Sequence, residues 1–99
     1  MGKAREGVDA EDLLSSKGRI RVLQVLAESG ELNISEVGRR TGMNYTSVER
    51  HLDALRKMGL LREKRYGKIR IFEVLFRTIT VRFERNRGVR VETDAAARA

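Results

Sequence analysis

Residues Ile34 to Leu61 read Ile-Ser-Glu-Val-Gly-Arg-Arg-Thr-Gly-Met-Asn-Tyr-Thr-Ser-Val-Glu-Arg-His-Leu-Asp-Ala-Leu-Arg-Lys-Met-Gly-Leu-Leu. The stretch divides at Thr41-Gly42 into two short amphipathic segments, which predicts two helices joined by a tight turn. Ser35 suits the N-cap of the first, with Glu36 near the positive helix end and Val37 as the apolar anchor. Gly38 costs a helix about 1 kcal/mol relative to alanine, so a close helix–helix approach is its expected reason. Met43 returns to the core. The second helix should begin after Asn44 and run to about Met58. Val48, Leu52 and Leu55 share one face at i, i+4 and i+7, while Thr46, Arg50, Asp53 and Lys57 fall on the opposite one. Gly59 stops it, and Leu60-Leu61 leads the chain back inward.

Upstream, Ser15 or Ser16 can cap an earlier helix that ends at Ser29-Gly30. Ile20, Leu23 and Leu26 or Ala27 follow helical spacing there, with Val22 and Val25 widening the stripe. Leu13 and Leu14 suit a preceding turn packed on the same core, and Leu32 and Ile34 a short extended piece. Residues 1–11 lack a sustained apolar period and are expected to form a flexible tail.

Downstream the pattern alternates. Leu61 to Arg65 and Lys68 to Val74 read as two strands around Tyr66-Gly67. Ile69 and Ile71 should point one way and Lys68 and Arg70 the other, giving an apolar and a cationic face. Residues 75–92 allow two readings. Ile79, Val81 and Phe83 alternate with Thr78, Thr80, Arg82 and Glu84 as in a hairpin. Leu75, Phe76, Ile79 and Phe83 also share a helical face. The β-branched run Thr78-Ile79-Thr80-Val81 favours strands. Residues 93–99 are expected to be a second flexible tail.

Composition narrows the function. Ninety-nine residues support one domain with a modest core. No apolar run is long enough to span a membrane, and the charged N-terminus lacks the apolar region of a secretory signal. With no cysteine there is neither a disulfide framework nor a thiolate metal site. The net charge is +7, and residues 62–90 alone hold ten basic and three acidic side chains. Charge concentrated in this way suggests a polyanionic partner. No catalytic constellation, phosphate-cradling glycine loop or paired metal ligands is legible, so an enzyme is not expected. His51, beside the apolar stripe of the last helix, reads as a hydrogen-bonded packing residue. A cytoplasmic, nucleoid-associated location is expected.

Helix, helix, helix, basic hairpin is the order of a winged helix, an α+β fold with a three-helix core and a β-hairpin wing. Four pieces extend the likeness: Lys17-Gly18-Arg19-Ile20-Arg21-Val22-Leu23, Ile34-Ser35-Glu36-Val37, Ser47-Val48-Glu49-Arg50-His51-Leu52-Asp53-Ala54-Leu55, and Met58-Gly59-Leu60-Leu61. In their order and spacing, Lys17 to Phe72 resembles the winged helix-turn-helix of ArsR-type and MarR-type transcription regulators, particularly compact archaeal versions. The resemblance implies double-stranded DNA binding by a domain placed here over residues 12–74; a homodimer is expected from the small footprint of one module, with residues 75–92 as its expected dimerisation element. Phe76, Ile79, Val81 and Phe83 are its expected dimer contacts, whether it is a hairpin or a dimerisation helix. Two departures limit the transfer. A metal-sensing role is not expected with no cysteine and His51 as the one histidine, and residues 75–92 do not resemble the long dimer helices of MarR-type proteins. No cofactor is expected.

The candidate DNA contacts follow from position. Tyr45, Thr46, Ser47 and Arg50 would enter the major groove, Arg50 having the guanidinium that matches guanine's two acceptors. Asp53 would either repel phosphate or orient Arg50. Asn44 and Lys57 flank that surface, and Arg39 and Arg40 at the end of the preceding helix would touch backbone phosphate. Arg62, Lys64, Arg65, Lys68 and Arg70 would track phosphates along the wing, with Tyr66 at its tip. A winged helix that binds another protein, or a non-specific architectural protein, are the competing functions.

Overall fold

The computed structural model describes residues 3–4 and 8–95. The elements run β1 (Lys3–Ala4), α1 (Ala10–Leu13), α2 (Lys17–Ser29), β2 (Glu31–Asn33), α3 (Ile34–Thr41), α4 (Tyr45–Lys57), β3 (Leu61–Tyr66), β4 (Ile69–Val74), β5 (Phe76–Glu84) and β6 (Gly88–Ala95). Two antiparallel three-stranded sheets result, ordered β2-β4-β3 and β1-β6-β5.

The caps explain most helix boundaries. Ser16 Oγ accepts from the Arg19 amide at 3.1 Å and starts α2. Asn44 does the same for α4, accepting from Ser47 N at 2.9 Å. For α3 the cap is Asn33, not Ser35: its Oδ1 accepts from Glu36 N at 2.8 Å, so the helix opens at Ile34 and Ser35 lies in its first turn. Either side chain can cap. Asn33 takes the role because it also ends β2, which pairs with β4 and fixes where the chain must turn. Gly42, at φ 75°, closes α3 in the left-handed conformation. The close approach at Gly38 is to the turn rather than helix to helix: a Cβ there would lie 3.1 Å from the Met43 carbonyl oxygen, with Val48 of α4 in ordinary contact at 4.0 Å.

The core is assembled from all three main helices and the wing sheet. Val22, Leu26, Val37, Val48, Leu52, Leu55, Leu60 and Phe72 are fully buried. Each contributes about 1.5–3 kcal/mol of burial before conformational entropy is subtracted. The stripe of α2 differs from its sequence reading. Ile20 is exposed, and the buried positions are Arg19, Val22 and Leu26. A charged residue therefore occupies a core-facing position.

Residues 75–92 resolve as strands. β5 and β6 pair from Phe76↔Ala95 to Glu84↔Gly88, with an irregularity between Phe76 and Thr78. β6 extends through Thr93, Asp94 and Ala95, where a flexible tail is expected from the sequence; residues 96–99 of that expected tail lie outside the described residues. At the other end, Lys3 and Ala4 pair with Thr93 and Glu92, and Ala10 and Glu11 belong to α1. The rest of the first seven residues lie outside the described ones. Asp9 caps α1, and Ala10 and Leu13 are buried.

Candidate nucleic-acid interface

The outer face of α4 is open. Thr46, Arg50 and Lys57 are exposed, Ser47 is half-buried, and Tyr45 is half-exposed where the helix begins. The opposite face buries Val48, His51, Leu52 and Leu55. Arg50 and Lys57 line one depression along the helix together with Asp12, Asp53, Ala54 and Met58. Tyr45 and Lys68 line another, with Asn33, Ser35, Ile69 and Arg70. The second depression brings the start of α4 beside the wing tip. Asn44 joins the same end, although its oxygen is committed to the cap and only the amide NH2 is left for an outside acceptor.

The wing strands alternate as expected, and the face that carries Arg70 is the one that packs inward. Cross-strand partners share a face, and the pairs Leu61↔Val74, Glu63↔Phe72 and Arg65↔Arg70 put Arg70 on the face of the fully buried Phe72. Arg70 thus points toward α4 rather than toward solvent with Lys68. Its Nε donates to Glu63 at 2.7 Å, Nη1 to Glu49 at 2.6 Å and Nη2 to Asp53 at 3.0 Å. The guanidinium also lies over the Phe72 ring, 5.3 Å from its centroid. Three carboxylates hold Arg70 charged beyond its usual range, and its hydrogen bond holds Glu63 below the ordinary carboxylate range. Ile69 and Ile71 occupy the outer face, Ile69 being half-exposed.

This network bears on three site expectations. Arg70 braces the wing against α4, its guanidinium held by Glu49, Asp53 and Glu63. Asp53 engages Arg70, and more distantly Arg56 at 3.9 Å, instead of orienting Arg50. Most wing cations are already neutralised: Arg65 pairs with Glu63 at 3.0 Å, Arg62 with Glu73, and Lys64 with Glu31 at 2.8 Å. The Glu31 hydrogen bond is the main reason the Lys64 pKa is raised. Lys68 has no carboxylate partner among the described residues and, with the exposed Tyr66, forms the tip of the wing around Gly67. Arg39 and Arg40 both pair with Glu36, and Arg40 also donates to Ser29 Oγ at 2.6 Å, although both side chains remain accessible.

A second network escaped the sequence reading. The buried Arg19 donates through Nη1 to the Asp12 carboxylate at 2.6 Å and carbonyl at 2.8 Å, and through Nε to His51 Nδ1 at 3.2 Å. It ties α1 and α2 to the inner face of α4. Burial first, then the charges of Arg19 and Arg50, depress the His51 pKa below its ordinary value. The packing role read for His51 is thus observed. The available signal was an arginine at a core-facing position of α2, which demands an acceptor inside. Among the described residues no cluster of three or more His, Cys, Asp or Glu could hold a metal ion. No helix among them is long and apolar enough to cross a membrane.

An exposed helix braced against a β-hairpin, on a three-helix core, defines a winged helix-turn-helix. A family model described as bacterial regulatory protein, arsR family, matches residues 16–63. A crystal structure of a possible transcriptional regulatory protein (fragment 1–100) from Mycobacterium bovis shares 31% identity over 62% of this chain and 64% of that one, with a TM-score of 0.57. A solution structure of a homodimeric winged helix-turn-helix DNA-binding domain from the same organism, a possible ArsR-family transcriptional regulator, shares 30% identity over 64% of this chain and 57% of that one, with a TM-score of 0.56. The matched region therefore spans less than two thirds of either solved structure. No curated protein matches. The chain has the winged helix-turn-helix fold, and its residues 16–63 are similar to the arsR family of bacterial regulatory proteins.

Proposed function

We propose that the chain is a sequence-specific, double-stranded DNA-binding transcription regulator that works as a homodimer and by binding rather than catalysis. The observation that carries this reading is the outer face of α4, where Thr46, Arg50 and Lys57 are exposed and Arg50 has no carboxylate partner among the described residues. Helix α4 would lie in the major groove, with Arg50 on a base edge and Thr46 and Ser47 near its N-terminal backbone amides on phosphate or base. Lys68 and Tyr66 would reach the neighbouring backbone. Arg39 and Arg40 would add phosphate contacts by releasing Glu36. The mycobacterial relative is homodimeric, and two-fold pairing would double the small footprint of one module.

Selection of bound sequences from a random duplex pool, followed by titration across salt, tests the reading. The expected result is a two-part site with half-sites about 10 base pairs apart or a multiple of that. Equal affinity for the selected site and bulk duplex would replace the regulator with a non-specific architectural protein. One observation favours a protein-binding winged helix instead: Arg62, Lys64, Arg65 and Arg70 are all internally paired. That reading expects no measurable duplex binding at physiological salt.

A further inference from the structure

Once the internal ion pairs are assigned, the positive charge of residues 62–90 no longer centres on the wing. Arg62, Lys64, Arg65 and Arg70 face carboxylates of their own sheet or of α4. Arg82 and Arg90 share Glu92, at 3.1 and 2.9 Å. Beside Lys68, the basic side chains of this segment with no carboxylate partner among the described residues are Arg77, Arg85 and Arg87. Two of these three sit at the turn of the β5–β6 hairpin.

That turn is built to present them. The Arg87 amide donates to the Glu84 carbonyl at 3.1 Å, and Asn86 between the arginines takes a left-handed φ of 68°. Arg85 and Arg87 are both exposed. Immediately below them Phe83, 77% exposed, stands opposite Val89, 39% exposed. Farther down the same face, Ile79 and Val81 pack on the core and Val91 and Thr93 are buried, so only the tip leaves the protein. The wing ends in the same way: exposed Tyr66 stands opposite exposed Ile69, with Lys68 in the turn. Glu84 is the one carboxylate at the second tip, and it is half-buried where the two arginines are exposed.

We propose that the tip of the β5–β6 hairpin, Phe83 with Arg85 and Arg87, is a second contact for double-stranded DNA, made on the duplex outside the α4 footprint. The inference rests on the DNA-binding reading of α4 and extends it. Two unpaired guanidiniums match phosphate oxygens, and an exposed aromatic between sugar-phosphate chains can lie against sugars or wedge at a base step. A second copy of the chain is the other candidate occupant, and charge opposes it. Antiparallel pairing of two β5 strands about Val81 would set Arg85 of one copy opposite Arg77 of the other, and like charges directly opposite destabilise a strand pair.

The test measures anisotropy of the full chain on two labelled duplexes, the selected site alone and the same site with about ten added base pairs on each side, which is one helical turn. Arg85→Ala/Arg87→Ala is expected to bind the flanked duplex roughly tenfold or more weakly, at the scale of charge-assisted hydrogen bonds. Its salt slope should fall by about 1.8, two phosphates' worth. Binding to the trimmed duplex should stay unchanged. Phe83→Ser should act in the same direction while sedimenting as the unaltered protein does. Unchanged affinity and slope on the flanked duplex would overturn the proposal. So would a change of oligomeric state on Phe83→Ser, which would give the tip to a second copy. Arg50→Ala separates the two readings. If it erases site preference while the arginine pair has no effect, the α4 reading stands and the hairpin contact falls. If it has no effect while the arginine pair weakens binding, the reverse holds. A native chain that binds neither duplex overturns both.

Discussion

Arg19 Nε donates to His51 Nδ1 at 3.2 Å, so the buried guanidinium of α2 is hydrogen-bonded to the inner face of α4. The geometry requires a neutral imidazole with its proton on Nε2, because a protonated ring would aim a second donor at a cation. Burial and the nearby Arg19 and Arg50 charges depress the His51 pKa in agreement with that geometry. The unfolded chain, with its histidine near 6.5, then binds a proton more readily than the native protein does. The stability associated with neutral His51 is therefore complete above about pH 6.5 and is lost as pH falls below it toward the native value. Melting temperature is expected to drop across that window. His51→Gln, which keeps an acceptor and cannot titrate, should flatten the drop, as thermal melts of both proteins at intervals between pH 5 and 8 would show. An equal fall in the two would remove His51 as the cause.

The brace at Arg70 gives a second expectation. Arg70→Met keeps much of the packing on Phe72 but leaves Glu49, Asp53 and Glu63 facing one another. Breaking a fully buried pair costs about 3–5 kcal/mol. These carboxylates are partly exposed, Glu49 and Asp53 more than Glu63, so solvent screening reduces the expected loss to roughly 1–3 kcal/mol. Chemical denaturation should show that loss, and adding Glu63→Gln should return part of it. The stability that comes from ionised Glu63 is present above its unfolded pKa of about 4.5 and disappears as pH falls through its lower native value. The acid limb of the stability profile should therefore be shallower in the Arg70→Met variant.

The helices, their order and both hairpins were legible because each carries a local signal. Val48, Leu52 and Leu55 mark the inner face of α4, Gly42 and Gly59 its surroundings, and Thr78 to Val81 the strand character of β5. The site was legible only where it depends on a single element: Thr46, Arg50 and Lys57 lie outside because α4 is amphipathic. The alternation of Ile69 and Ile71 against Lys68 and Arg70 is legible in the wing, but which of the two faces packs inward is not. The decisive residue is Phe72, which shares its face with Arg70, and a one-position shift in a strand exchanges every side chain between faces. Pairing of Lys64 with Glu31, 33 positions away in sequence, cannot be read from any local window. The burial of the four expected dimer contacts also depends on distant packing. Phe76 is buried and Ile79 and Val81 pack on the protein's own core, which leaves Phe83 of those four for an outside partner.

Arg50 and Lys68 should behave differently if one reads bases and the other holds the backbone. Arg50→Ala is expected to cost about 1–3 kcal/mol on the preferred site and to relax discrimination at one base position. Lys68→Ala should weaken binding to all duplexes and lower the salt slope by about 0.9. Lys64→Ala should change the slope little, since its ammonium is already held by Glu31 and Glu73. Titrations at three or more salt concentrations on matched and single-mismatch duplexes distinguish these outcomes. Loss of slope with Lys64→Ala equal to that with Lys68→Ala would mean that the wing ion pairs open on binding.

Asn44 allows stability to be separated from DNA contact at one position. Its Oδ1 caps α4 through the Ser47 amide at 2.9 Å, so Asn44→Ala should cost about 1 kcal/mol of stability. Asn44→Asp keeps an acceptor in the same place and adds a negative charge at the positive end of the helix, which should maintain or slightly raise the melting temperature. The same carboxylate would stand beside Tyr45 and Thr46, where phosphate is expected to approach, and would replace the free amide donor with a repelling group. The expected pattern for Asn44→Asp is an undiminished melt with weaker duplex binding, and the deficit should shrink as salt screens the added charge. If Asn44→Asp instead bound the selected site as tightly as the unaltered chain at low salt, the start of α4 would have to lie away from the backbone, and the helix would need a different orientation in the groove.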